Sequence, residues 1–255
     1  MRGQLKKSRL QVLLVLIIAG LLSGCVYWRL YQTKQQLNDF DRYFSVQSSD
    51  NFTWHFKEPL IYSDDFIYLS KFQPSSIETI KAGQRWRYLF HKVDKSGQPV
   101  VPAVSYYFEL RFNQQQRLTD WLLSPLFLQM APADFLEVSL RSIGRGKLNQ
   151  AKRQIKVDAQ AMEKTTAELP KKANVIAHLG APLEVVRDAE FSVYTYHFLL
   201  TTPEIKEGYE DRALTVVKLS FDEQDNLVKL AGRFVGVKLK IDYRKYLQKQ
   251  RGNAV

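Results

Sequence analysis

The sequence predicts an α+β protein: an N-terminal membrane-targeting helix, then two units, each a helix feeding a three-stranded antiparallel meander. Three observations carry that reading. A basic and then apolar leader ends at the chain's only cysteine. Two aromatic-rich stretches repeat one strand-and-turn pattern 108 to 109 positions apart. Helix-like segments with capping or stop residues precede both stretches.

The first nine residues hold Arg2, Lys6, Lys7 and Arg9 and no acid, and residues 10–28 carry no charge. A basic start, a short apolar core and small residues at the end make a secretory leader. Leu22, Ser23, Gly24 and Cys25 resemble the bacterial lipobox. That resemblance implies cleavage after Gly24 and a lipid on Cys25. The alternative is a signal anchor kept to about residue 28, with Tyr27 and Trp28 at the membrane interface. Both place the bulk of the chain outside the cytoplasm, because positive charge stays inside. A lipidated Cys25 leaves no thiol for a disulfide, so the body must hold together by its core.

Removing residues 1–24 leaves 231 residues and lowers the net charge from +11 to +7. Outside the cytoplasm that excess points to anionic lipid, cell-wall polymer or an acidic protein as partner, and not to nucleic acid. Residues 25–50 read as a stalk helix, with Leu30, Leu37, Phe40 and Phe44 at helical spacing. The first unit spans 51–130, connecting helices 131–170, the second unit 165–243 and a basic tail 244–255.

Within the first unit, "FTWHFKEPLIYSDDFIYL" alternates as one or two strands, with Asp64 and Asp65 in a turn. "PSSIETIKAGQ" reads as its helix, with Ser75 as N-cap, Glu78 as capping-box partner and Gly83 as stop. "RWRYLFHK" and "SYYFELRFNQQQRLTDWL" supply its strands; "SVYTYHFLL" and "ALTVVKLSFDEQDNLVKLA" supply those of the second unit. Phe112 lies 22 positions after Phe90, and Phe221 lies 23 after Phe198. "NQQQ" and "DEQDN" read as the hairpin turns, each followed by a leucine, Leu118 and Leu227. In the second unit, Val175, Ile176 and Leu179 share a helix face, which Gly180 and Pro182 terminate. The middle predicts helices at 133–143 and 148–169, the latter ended by Pro170. The run of Arg141, Arg145, Lys147, Lys152, Arg153 and Lys156 reads as a solvated helix face or as a site for an acidic partner.

"VIAHLGAPLEV", "YTYHF" and "LTVVKLSFDEQDNLVKL" resemble the BamE-like (SmpA/OmlA) family of envelope lipoproteins, over residues 165–235 and more faintly 72–123. The resemblance implies two helices on a three-stranded antiparallel sheet, present in tandem. It also implies a supporting role in outer-membrane assembly or envelope integrity, with Val26 after Cys25 directing the chain to the outer membrane.

No motif for catalysis, cofactor or metal stands out. There is no phosphate loop and no nucleophile elbow, and His55, His91, His178 and His197 are isolated in sequence. The expectation is a membrane-anchored, non-catalytic protein-binding scaffold of the bacterial envelope. The alternative is a small-ligand or lipid carrier with an aromatic groove between the two units.

Overall fold

A computed structural model describes residues 26–149, 154–158, 167–187, 190–234 and 237–246. Cys25, the leader, Lys152, Arg153 and residues 247–255 lie outside the described residues. The chain opens with α1 (residues 26–36), a 3₁₀ turn (Leu37–Asp39) and α2 (Phe40–Tyr43). Strands β1 (Phe44–Ser48) and β2 (Phe52–Phe56) follow, then α3 (Ser63–Ser70). Four strands come next: β3 (Ser76–Ile80), β4 (Gly83–Val93), β5 (Ser105–Asn113) and β6 (Leu118–Leu123). Helices α4 (Pro125–Met130) and α5 (Ala133–Gly144) lead to β7 (Lys147–Asn149) and β8 (Gln154–Asp158). After α6 (Lys172–Leu179) come β9 (Glu184–Arg187), β10 (Ser192–Thr201), β11 (Leu214–Phe221), β12 (Leu227–Phe234) and β13 (Val237–Asp242).

The described strands form one thirteen-stranded sheet, in the order β1-β2-β6-β5-β4-β10-β11-β12-β13-β8-β7, with β3 on β4 and β9 on β10. This overturns the expectation of two separate α+β units of one helix and three strands. β10 pairs with β4 from His197↔Val93 to Thr201↔Leu89, so the two meanders share one continuous hydrogen-bonded sheet. Among the described residues the sheet likewise does not divide into the two-helix, three-stranded modules implied by the family resemblance.

A repeat is nevertheless present, and it is larger than the sequence suggested. Each copy is one helix and four strands, α3-β3-β4-β5-β6 and α6-β9-β10-β11-β12. Ser63 and Lys172 open the helices 109 positions apart, and Leu118 and Leu227 open the last strands at the same separation. Local geometry repeats as well. The bridge Tyr62↔Arg117 has its counterpart in Lys171↔Asn226. The bulge at Arg111/Phe112 recurs at Ser220/Phe221. Gln116 and Asp225 both take a left-handed backbone, φ 60° and 61°, in turns held by the side chains of Asn113 and Asp222. The two copies meet where their long strands pair, with His91 opposite Leu199.

The structure corrects several further sequence expectations. "PSSIETIKAGQ" is the β3–β4 hairpin and not a helix. Ser75 caps no helix; its hydroxyl accepts from the Leu89 N–H and donates to the Thr201 carbonyl, while Glu78 pairs with Arg85 across the hairpin. Gly83 stops no helix either. It opens β4 at φ 146°, where an added Cβ would lie 2.1 Å from the Phe112 carbonyl oxygen. The helix of the first copy is α3, so Asp64 and Asp65 sit in a first helical turn and not in a turn between strands. The helix expected over 148–169 is replaced by β7 and β8 among its described residues. The stalk helix stops before Phe44, which begins β1. The end of the second unit and the start of the tail are core: Tyr243 and Tyr246 are buried, with hydroxyls bonded to Ser139 and to the Ala167 backbone.

The helices cover one face of the sheet. Tyr88, Phe90, Phe108, Leu110 and Phe112 of the first copy and Tyr196, Phe198, Leu219 and Phe221 of the second form the inner layer. Phe66 of α3 packs on Phe112 and Trp121, and Phe127 of α4 on Tyr106 and Phe108. Aromatic rings in such contacts combine a large buried area with edge-to-face attraction.

The two helices end differently, which explains why only the second shows a Leu-Gly-x-Pro signature. Lys71 closes α3 at φ 70°, ψ 21°, a left-handed conformation that an L-residue tolerates. Gly180 closes α6 at φ 69°, ψ −167°, a region essentially reserved for glycine. Gly180→Ala is expected to cost about 1–3 kcal/mol, read as a lower denaturant midpoint at unchanged slope.

Candidate interaction surfaces

The N-terminal helix is fastened to the body at both ends. Arg29 donates to both oxygens of Asp65, Nε to Oδ2 at 2.8 Å and Nη2 to Oδ1 at 2.5 Å. Asp65 is 1% exposed and also accepts from the Tyr62 N–H, which closes the first turn of α3. The Tyr62 ring lies between two guanidiniums, those of Arg29 and Arg117, each 5.0 Å from its centre. At the other end Lys34 Nζ donates to the Gly144 carbonyl at 2.7 Å. Removing Arg29 strands a buried carboxylate. Arg29→Ala is therefore expected to lower stability by about 2–3 kcal/mol and to open the α1–α3 junction to limited proteolysis.

The opposite side of α1 faces water with large rings. Trp28 is 59% and Tyr31 42% exposed, and the two stack at 5.9 Å. Tyr27 meets the half-exposed Tyr68 edge-on, and Lys71 lies over the Tyr68 ring at 3.9 Å. Tyr27 and Trp28 are among the first described residues and close the uncharged run 10–28, with Tyr31 just beyond it. Tyr and Trp favour the zone between bilayer and water because each has an apolar ring and a polar tip. Among the described residues no helix is long and apolar enough to cross a membrane.

Among the described residues, two short strands form free edges at equivalent places. β3 covers only the Gly83–Arg87 half of β4, and β9 only the Ser192–Thr195 half of β10, because the other halves pair with each other. Ile77 on β3 is 52% exposed, and Val185 and Val186 on β9 are 43% and 49%. An unpaired edge with outward apolar side chains is a template for another strand.

The histidines do not converge on a metal. Among the described residues no group of three His, Cys, Asp or Glu side chains could hold one. His55 on β2 hydrogen-bonds Asp120 on β6 through Nδ1, and Thr119 donates to the same carboxylate. Ser45 stands opposite His55 on β1, so a serine, a histidine and an aspartate share one cross-strand row. Ser45 makes no hydrogen bond to His55, and the row lies on the open face of the sheet, away from the helices. His91 and His197 also lie on that face, opposite Leu199 and Val93. His178 bonds its own helix backbone at Asn174.

Between sheet and helices lies an apolar cavity of about 90 Å³, lined by residues including Tyr106, Phe127, Val175, Phe198 and Leu227. It occupies the junction of the two copies, where a carrier's groove was expected. Beside it Lys92 of β4 is buried and donates to the Leu179 and Ala181 carbonyls at 2.6 Å, capping α6 of the other copy. Burial pulls this ammonium below the ordinary lysine range.

Sequence reasoning did not single out the Arg29–Asp65 clamp, the Lys92 cap or the free edges. Each depends on partners dozens of residues away, which no local pattern encodes. The chain matches no protein-family model, no curated protein and no solved structure.

Proposed function

We propose that the chain is a bacterial envelope protein, tethered to a membrane at its N-terminus, that binds other proteins without catalysing a reaction. The observation that carries this reading is the pair of edges β3 and β9, free among the described residues and presenting the exposed side chains of Ile77, Val185 and Val186 at matching places in the repeat. An extended partner segment added to either edge gains main-chain hydrogen bonds, with specificity from alternate side chains. A tether raises the local concentration of such sites at the membrane face. The leader, the lipobox-like Cys25 and the exposed rings of Trp28, Tyr31 and Tyr68 support the tether. Support of outer-membrane or envelope assembly, as the family resemblance implies, is the particular role we propose.

The carrier reading is weaker. Ligand sites commonly span about 300–1,000 Å³, and the cavity at the junction is about 90 Å³. Placing a photo-crosslinking residue at Ile77, Val186 or the exposed turn residue Lys95 in living cells tests the proposal. Discrete protein adducts from Ile77 and Val186, absent from Lys95, are expected. Adducts to lipid alone, or none, would reject the scaffold.

A further inference from the structure

The open face of the sheet carries a charge asymmetry between the two copies. In the first copy cations and acids alternate. Glu109 is 3% exposed and held between Arg87 and Arg111, Arg85 pairs with Glu78, and Asp120 meets His55. The positions equivalent to the acids Glu109 and Asp120, 109 residues on, are Lys218 and Lys229. The fold thus tolerates carboxylates there and the second copy has ammoniums instead.

Lys218 joins other lysines in one line across the strands, while Lys229 stands opposite Asp242 and over the Phe191 ring. The register runs Lys147↔Lys156, Lys156↔Lys240, Lys240↔Ala231 and Ala231↔Lys218, with Lys238 beside it two residues from Lys240. Lys147, Lys156, Lys218, Lys238 and Lys240 are all exposed and none takes part in an ion pair among the described residues. Like charges directly opposite one another on neighbouring strands destabilise a sheet. Two such contacts in succession, with no interposed carboxylate, are a standing cost to the fold. Of the basic run in the sequence, Arg141 pairs with Asp41 and Glu137, while Lys147 and Lys156 enter the row.

We infer that this lysine row is a docking track for a flexible, linear acidic polysaccharide. Charge complementarity sets the sign of the ligand, and geometry sets its shape. The row is about 19 Å long from β7 to β11, at about 4.8 Å per strand. On one side Asp158 and Asp242 border it, paired with Lys245 and Arg244. Neighbouring strands rotate by about 20–25°, so the ammoniums fan through about 80–100° along the row. A flat bilayer or a stiff duplex meets only part of such a fan, whereas a flexible chain follows it. No aromatic side chain stands in the row to stack nucleic-acid bases. That the polymer is a polysaccharide of the cell exterior rests on the export reading above; the row itself does not.

Full chain in non-ionic micelles, titrated with fluorescent polygalacturonate, tests the inference. Binding is expected to weaken about a hundredfold between 50 and 200 mM salt, as release of about five counterions requires. The double substitution K156E/K240E is expected to reduce affinity at least tenfold, and K81E/K95E in the exposed turns of the first copy to leave it unchanged. The single substitution K156E places an acid between Lys147 and Lys240, so it is expected to weaken binding and yet to melt no lower than the parent chain, which separates lost binding from lost folding. Equal binding by K156E/K240E would overturn the inference, as would tighter binding to polyglutamate, duplex DNA or phosphatidylglycerol vesicles than to polygalacturonate. Export is tested separately at Cys25, so the two readings fail independently.

Discussion

Phe198→Ala is expected to destabilise the whole chain by about 3–5 kcal/mol, the range for removing a large aromatic ring from a core that cannot collapse around the gap. Phe198 is 2% exposed and its ring meets Tyr106 at 4.9 Å, so it belongs to the cores of both copies. It also lines the existing cavity, which the substitution would enlarge. Because β4–β10 pairing makes one sheet of the repeat, both copies should be lost in a single transition. Denaturant unfolding followed by tryptophan fluorescence checks this. All four tryptophans, Trp28, Trp54, Trp86 and Trp121, lie in the N-terminal half, whereas circular dichroism reports on both halves. Coincident curves are expected; a fluorescence transition displaced from the dichroism transition would mean that the copies fold separately.

Raising the pH should unfold the protein steeply above about pH 10. Burial raises the phenol groups of Tyr88, Tyr106 and Tyr243 well above their ordinary range and pushes Tyr196 up to about 12. A phenol whose folded value exceeds its unfolded value of about 10 stays protonated in the native state while the unfolded chain ionises. The stability it contributes is fully present below pH 10 and is lost as pH rises through the folded value. Each such group removes up to about 1.4 kcal/mol per pH unit, so the four together remove up to about 5. Tyrosinate absorbance near these four should therefore appear together with unfolding. Their ionisation in a chain that keeps its dichroism would contradict the packing described above. Lys92 acts in the opposite sense: its lowered folded value makes stability rise with pH up to about 10.5, a smaller effect that a Lys92→Met variant should lack.

The period of the repeat was legible in the sequence because its markers are local. Phe112 and Phe221 before polar turns, then Leu118 and Leu227, are core positions at fixed offsets in both copies. The composition of each copy was not legible. Ser75 and Glu78 have the spacing of a capping box, but Ile77, Thr79 and Ile80 are β-branched and the segment has β4 to pair with. The true helix, α3, hides in an aromatic stretch that alternates like a strand and declares itself only through Asp65 reaching back to the Tyr62 N–H. β8 was obscured by its Gln and Lys content. It is a strand because Val157 pairs with Ile241 of β13, 84 residues later, and packs in the core. The union of the two copies could not be read at all, since β4–β10 pairing joins residues more than 100 positions apart.

Of the candidate surfaces, the proposed tether rests on the leader and Cys25 in the sequence, whereas the edges and the lysine row were not legible there. An edge is defined by what fails to pair beside it. The lysines of the row come from β7, β8, β11 and β13, and only the sheet brings them into line.

The most direct measurement of the account's core is the intact mass of the mature chain purified from bacterial membranes after growth with labelled fatty acid. A chain beginning at Cys25, carrying label that Cys25→Ser abolishes, is the result expected. A chain that retains residues 1–24, takes up no label and is recovered from the cytosol would contradict it.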